Sequence, residues 1–154
     1  MYKANYFLMD YGTVRKLIAV AGILLIIQYL TGLGMDLFVT IPQQIAFNFF
    51  GYPGGVDVLA HIAIGIMIVI VALAILASSI KLNNAFLSTL SLLALVLIVG
   101  ALGDGVLFML LGQQNTYSMT MGIGFVLAFM VYFLEVIEVG KLQVAKKLET
   151  RQEG

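Results

Sequence analysis

Four long runs of apolar residues, separated by short polar segments, dominate the chain. They extend over about 17–40, 56–80, 86–111 and 117–139. Each run is long enough for the roughly 20 residues that a bilayer core requires. None of them alternates apolar and polar positions as the strands of a barrel do. Because backbone groups in lipid must be hydrogen-bonded within their own segment, the pattern predicts four transmembrane helices.

The connections between these spans are short, and short loops make successive helices antiparallel. The longest connection, 41–55, carries several aromatic residues. It is predicted to be an aromatic loop at the membrane interface or an amphipathic stretch on the membrane surface. The charged tail at 140–154 is expected to extend the last helix or to be disordered. The predicted fold is therefore all-α: one polytopic membrane domain built as an antiparallel bundle of four transmembrane helices.

Composition agrees with a lipid-solvated protein, because 62% of the residues are hydrophobic and only 10% are charged. Soluble domains carry about a quarter charged residues. The formal net charge of zero argues against nucleic acid as a partner. The absence of cysteine excludes disulfides, iron–sulfur clusters and thiolate metal sites. No phosphate-binding glycine loop, nucleophile elbow or paired-histidine metalloprotease motif is present, so enzyme activity stays an open question.

The basic residues indicate how the chain is oriented. In a four-span topology, every lysine and arginine falls on one side of the membrane. These residues are Lys3, Arg15, Lys16, Lys81, Lys141, Lys146, Lys147 and Arg151. By the positive-inside rule, both termini are predicted to be cytoplasmic in a multi-pass protein of the cell membrane.

Three aspartates and the only histidine are predicted to meet beneath the outer membrane surface. At 1.5 Å per residue, Asp36 lies about 28 Å along the first span and Asp104 about 27 Å along the third. Asp57 opens the second span, and His61 lies one turn deeper on the same helix face. Ionisable residues inside a membrane mark functional sites by default. These four residues are therefore the candidate site.

Several functions fit this cluster. A histidine with two or three carboxylates suits a divalent metal ion such as zinc, manganese or non-haem iron. The cluster could instead relay protons or hydrogen-bond a quinone head group. A purely structural interpretation is that Asp57 caps the second span, where its charge meets the helix dipole. In that interpretation His61 bonds Asp104 or Asp36 across the bundle.

A b-type haem is an alternative ligand, because four-helix membrane bundles can hold haem through axial histidine. His61 would be one axial ligand, and Met119, Met121 or the His61 of a second copy would be the other. The methionines also fit ordinary apolar packing. Three functions thus stay open: an accessory protein that binds a metal ion or small ligand, a haem-carrying electron-transfer subunit, and a structural subunit of a larger membrane complex or homo-oligomer.

Other polar residues within the spans have simpler expectations. Gln28 and Thr31 lie in the middle of the first span and are expected to bond a neighbouring helix or the backbone. Glu138, at the inner end of the fourth span, is expected to form an exposed pair with Lys141, which contributes little to stability. Glu135 lies deeper. It is predicted to accept a proton, to snorkel to the interface or to pair with a basic neighbour.

Three short motifs carry a family resemblance: the segment 36–42 (DLFVTIP), the single His61, and the segment 104–108 (DGVLF). Together they resemble a group of small four-helix integral membrane proteins of prokaryotes. In that group the first and third motifs usually begin with asparagine, so the aspartates here add charge that favours a cation site. The chain is more distantly similar to four-helix haem proteins of the cytochrome b561 and haem A synthase type. Those proteins use paired histidines, whereas this chain has one.

Overall fold

The structure confirms the all-α fold. The computed structural model describes residues 11–43 and 46–152, and these residues form helices and no strand. The helices are α1 (Tyr11–Phe38), α2 (Gly55–Lys81), α3 (Ala85–Leu110) and α4 (Asn115–Gln152). Each of the four is long and apolar enough to cross a membrane.

The four helices close into a ring. Helix α1 packs against α2 and α4, and α3 packs against the same two helices from the other side. Because short loops join successive helices, the bundle is antiparallel. We call the end that carries the connection 39–54 the loop end. The opposite end, where α1 begins and α4 ends, is called the terminal end.

Each helix buries one line of residues spaced three or four positions apart, as the helical period requires for a face turned to a bundle axis. On α1 this line is Val14, Ile18, Ala21, Leu25 and Gln28. On α2 it is Gly55, Val58, His61, Gly65, Ile68, Ala72, Ile75 and Ser78, with Ser79 beside it. Small residues on these lines let the backbones approach closely in lipid. Large apolar side chains cover the outer faces instead, where lipid is the solvent.

The loop end is closed by packing of its long connection. Ile41, Ala46 and Tyr52 are buried against Val58 and Met109. The Tyr52 hydroxyl donates to the Ala46 carbonyl oxygen at 3.1 Å. This connection therefore packs on the end of the bundle and shields the space beneath it.

The first turns of α3 and α2 each depend on one particular residue just before the helix. The Asn84 side chain accepts a hydrogen bond from the Leu87 amide at 3.0 Å and caps α3. Gly54, before α2, has a left-handed φ of 80°, where side-chain-bearing residues are disfavoured. A Cβ at Gly54 would also lie 2.8 Å from the Val39 side chain. Glycine therefore permits the close approach of the end of α1 to the start of α2.

The helix ends differ from the predicted spans at two places. Helix α1 begins at Tyr11, so its first turn lies before the predicted start at Leu17. Helix α4 continues through the charged tail to Gln152, which corresponds to the helix-extension alternative. Lys3 and residues 153–154 lie outside the described part of the chain.

Candidate functional site

His61 lies in a partly buried set of hydrogen bonds that joins α2 to α1. Its Nε2 is 2.8 Å from Gln28 Nε2, and its Nδ1 is 3.0 Å from Thr31 Oγ1. Gln28 is 3% exposed and His61 is 8% exposed. Both belong to the buried lines of their helices, so helix packing itself brings them face to face. We call Gln28, Thr31 and His61 the clasp.

A third contact in the clasp fixes the direction of its hydrogen bonds. Thr31 Oγ1 donates to the Gln28 backbone carbonyl oxygen at 3.1 Å. Since threonine has one hydroxyl proton, its oxygen then accepts from His61 Nδ1–H, and His61 Nε2 accepts from the Gln28 amide. The opposite order would use the threonine proton for Nδ1 and leave the carbonyl contact unmade. We therefore assign His61 as the Nδ1–H tautomer.

Two glycines make room for the clasp. A Cβ at Gly32 on α1 would lie 3.1 Å from His61 Cε1. A Cβ at Gly65 on α2 would lie 3.2 Å from Gln28 Nε2. Gly32 follows Gln28 by four positions, and Gly65 follows His61 by four positions. The His61 ring therefore packs over the glycine one turn after Gln28, and the Gln28 side chain packs over the glycine one turn after His61. This reciprocal packing needs a small residue at both positions.

A cavity of about 390 Å³ adjoins the clasp on the loop side. All four helices and the connection 39–54 contribute to its walls, and its lining is overwhelmingly apolar. Its lining includes Gln28, His61, Asp36 and Met121. The Gln28 Oε1 atom is buried and has no hydrogen-bond partner among the described residues. Gln28, a lining residue of the cavity, therefore carries one buried acceptor without a partner among the described residues.

The structure does not bring the four predicted metal ligands together. Asp36 and Asp57 are exposed, and Asp104 is partly exposed. In residues 11–43 and 46–152, no group of three or more histidine, aspartate or glutamate side chains could hold a metal ion. Of the three aspartates, only Asp36 lines the cavity.

The structural interpretation is wrong in the hydrogen-bond partners of His61 and in the cap of α2. His61 bonds Gln28 and Thr31, not Asp36 or Asp104. The N-cap of α2 is Gly54, with no side-chain cap, although Asp57 does lie in the first turn near the helix dipole. Asp36 lies two residues before the end of α1, about 3 Å from the loop end of the helices. His61 lies six residues into α2, about 9 Å from that end.

The two methionines predicted as haem ligands lie in different surroundings. Met121 is partly buried and lines the cavity, whereas Met119 is 68% exposed on the outer face of α4. Both ring nitrogens of His61 are hydrogen-bonded within the clasp. Axial ligation through His61 would therefore require one of those bonds to break.

Two other expectations for polar residues are confirmed. Gln28 and Thr31 bond the neighbouring helix, and Thr31 also bonds its own backbone. Glu138 and Lys141 form an exposed pair with an oxygen–nitrogen distance of 3.2 Å. No specific signal in the sequence indicates that Gln28, rather than an aspartate, is the partner of His61. The position of Gln28 on the apolar line of the first span is the signal that could have identified it as the partner of His61.

No protein-family model matches the chain, and no curated protein or solved structure is significantly similar to it. The class of protein is therefore defined by its own fold and site. It is a four-helix protein whose helices are long and apolar enough to span a membrane, with an apolar cavity next to the clasp.

Proposed function

We propose that this protein binds a small, mostly apolar molecule with one hydrogen-bond donor in the cavity beside His61. The free Gln28 Oε1 is the observation that supports this function most strongly. A buried acceptor left without a partner costs about 1–3 kcal/mol. A hydroxyl or N–H group on a bound molecule would remove that cost by donating a hydrogen bond to Gln28 Oε1. The rest of the molecule would pack against the apolar walls of the cavity.

The size and chemistry of the cavity narrow the ligand class. Its volume of about 390 Å³ is within the range of about 300–1,000 Å³ that is usual for small-molecule sites. A lipid-dissolved quinol or an isoprenoid alcohol combines an apolar body with a hydroxyl donor. The oxidised quinone offers acceptors only, so it cannot bond Gln28 Oε1. Among redox forms of one molecule, the proposal therefore favours the quinol.

This class of ligand is better supported than a metal ion or haem. A metal ion needs several converging donors, and the aspartates are spread over exposed positions. Both ligand types would also need a free nitrogen on His61, and the clasp engages both ring nitrogens. A small molecule needs neither change, because it uses the acceptor that the clasp leaves free.

Ligand-dependent thermal stability in mild detergent tests the proposal with decylubiquinol as the probe and decylubiquinone as its oxidised counterpart. We expect the quinol to raise Tm more than the quinone does. Met121→Trp should fill the cavity and abolish the effect. Met119→Trp is the matched control on the lipid-facing side, where the same change should leave binding intact. Gln28→Met should weaken quinol binding at least about tenfold, the equivalent of 1.4 kcal/mol.

Three results would contradict the proposal. The first is a quinol effect no larger than the quinone effect. The second is equal binding by the Met121→Trp and Met119→Trp variants. The third is a stoichiometric metal ion or a Soret band in the purified protein that is lost in His61→Ala, since either would make His61 a ligand to a metal ion or to haem.

A further inference from the structure

A second buried polar cluster lies near the terminal end, away from the cavity. Glu135 of α4 is 0% exposed. Its Oε1 accepts from Ser91 of α3 at 2.5 Å and from Ser79 of α2 at 3.1 Å. Three helices therefore converge on one carboxyl group. We call these three residues the carboxyl cluster.

The other oxygen of the carboxyl group has no partner. Glu135 Oε2 is buried and makes no hydrogen bond to the described residues, and the same holds for the hydroxyl of Tyr132, one turn earlier on α4. A carboxylate with no opposite charge is costly to bury, because its solvation by water is lost. Among the described residues, therefore, no group neutralises this carboxyl through its free oxygen.

Among the side chains that the structure describes, no basic residue forms an ion pair with Glu135. On α1, Arg15 and Lys16 are exposed, and the third ionisable group at that end is the partly buried Tyr11. On α2, Lys81 is exposed at the last position. The first ionisable residue of α3 is Asp104, near the loop end. On α4, the neighbouring groups are Tyr132, Glu138 and Lys141, and the last two pair with each other.

The close polar contacts of the carboxyl cluster outnumber the hydroxyl protons that could make them hydrogen bonds. Ser91 Oγ is 2.8 Å from Ser79 Oγ, 2.9 Å from the Leu87 carbonyl oxygen and 2.5 Å from Glu135 Oε1. Ser79 Oγ contacts the same Oε1 at 3.1 Å. The two serines supply one hydroxyl proton each, which is fewer than the contacts. A proton on the carboxyl group would serve one more of them and would remove the buried charge.

We propose that Glu135 is a binding site for one exchangeable proton, held in the carboxyl cluster at the terminal end. Ser79 lies two residues before the end of α2, and Ser91 lies six residues into α3, so the cluster is within roughly 10 Å of that end. This short distance allows exchange with the solution there. Ser79 and Ser91 are positioning residues that hold the carboxyl group in one orientation.

This proton site is separate from the cavity. Ser79 follows His61 by 18 positions on α2, which corresponds to about 27 Å. The buried line of α2 between them consists of Gly65, Ile68, Ala72, Ile75 and the self-bonded Ser78. The proposal therefore does not depend on what the cavity binds.

An apolar carbodiimide, which reacts with protonated carboxyl groups, tests the proposal on the full chain in mild detergent. We expect modification of Glu135, located by peptide mass analysis, to fall as the pH rises from about 5 to about 9, the range in which buried carboxyl groups can titrate. Glu135→Gln should lose the modification. Glu138, which pairs with Lys141 outside the cluster, is the matched control and should react little throughout.

Thermal unfolding over the same pH range gives a readout that needs no reagent. A group that holds its proton more firmly when folded stabilises the protein at low pH and loses that contribution as the pH rises. Wild type should therefore lose Tm with rising pH more steeply than Glu135→Gln, which keeps the shape and cannot ionise. Coincident Tm profiles would overturn the proposal. So would modification of Glu135 that is absent, pH-independent or blocked by Na⁺ at constant pH.

Discussion

Gln28 and His61 face each other across the α1–α2 contact, with their two Nε2 atoms 2.8 Å apart. Each also packs over the glycine that follows the other by one turn. Helix association in lipid depends on close packing and on hydrogen bonds between helices, because lipid tails remove the hydrophobic drive. This pair combines both effects at one point, so it sets the spacing and the register of the first two helices.

A double-mutant cycle measures the strength of this pair. Gln28→Met and His61→Leu each keep the side-chain volume approximately but leave the partner unpaired, so each should lower stability. The double variant should cost less than the sum, with a coupling energy of about 0.5–2 kcal/mol. Reversible unfolding in detergent micelles supplies the free energies. Additive losses would mean that the two side chains do not stabilise each other.

The glycines of the clasp should tolerate alanine less well than a neighbouring glycine does. Gly32→Ala and Gly65→Ala each place a methyl group against a clasp side chain. Overpacking of this kind costs about 1–3 kcal/mol. Gly34→Ala is the control, because a Cβ there meets nothing within 4 Å. It should be neutral or favourable, since alanine is the better helix former.

The same unfolding measurement decides this comparison. Equal stability of the three alanine variants would show that Gly32 and Gly65 do not create necessary space. A loss confined to those two variants would agree with the reciprocal packing.

The orientation of the chain can be tested with single cysteines, because the native sequence has none. Phe50→Cys lies at the exposed loop end, and Glu149→Cys lies on the exposed part of α4. A charged thiol reagent that cannot cross membranes should label only Phe50→Cys on intact cells. Glu149→Cys should react after the membrane is opened. The reverse pattern would contradict the positive-inside assignment.

Much of the fold could be predicted because hydrophobic length is read directly from the sequence. The helix number, the all-α class and the order of the connections follow from it. The extra turns that begin at Tyr11 were not predicted, and the sequence left open whether the fourth helix continues beyond Val139, because polar helix formers continue a helix as readily as they leave it. Only the packing and the backbone geometry of the folded chain decide where such a helix ends.

The site was harder to predict because depth along a helix does not give direction around it. Asp104 has nearly the depth of His61, yet it lies beside the buried line of α3 rather than on it. Gln28 lies on the buried line of α1, where a polar residue must find a partner in the bundle. Periodicity rather than charge is therefore the better guide to buried sites in this fold.

The same reasoning applies to Glu135. Its depth in the fourth span left a proton acceptor, a snorkelling residue and a basic partner as alternatives, and no feature of the sequence distinguished Ser79 and Ser91, because serine is common in membrane helices. Both serines interrupt the buried lines of their helices at the same end of the bundle. The shared position of the two serines at the terminal end can be predicted from the sequence once the register of the helices is known.

The apolar stretch of α2 between His61 and Ser79 has an electrical consequence. It forms a layer of low dielectric constant in which an ion is strongly disfavoured. With the membrane in place, most of the transmembrane voltage therefore falls across this layer rather than over either polar cluster. If Glu135 is the proposed proton site, acidity on the side of the termini would govern it, whereas the ligand proposed for the cavity would enter from the opposite half of the bilayer.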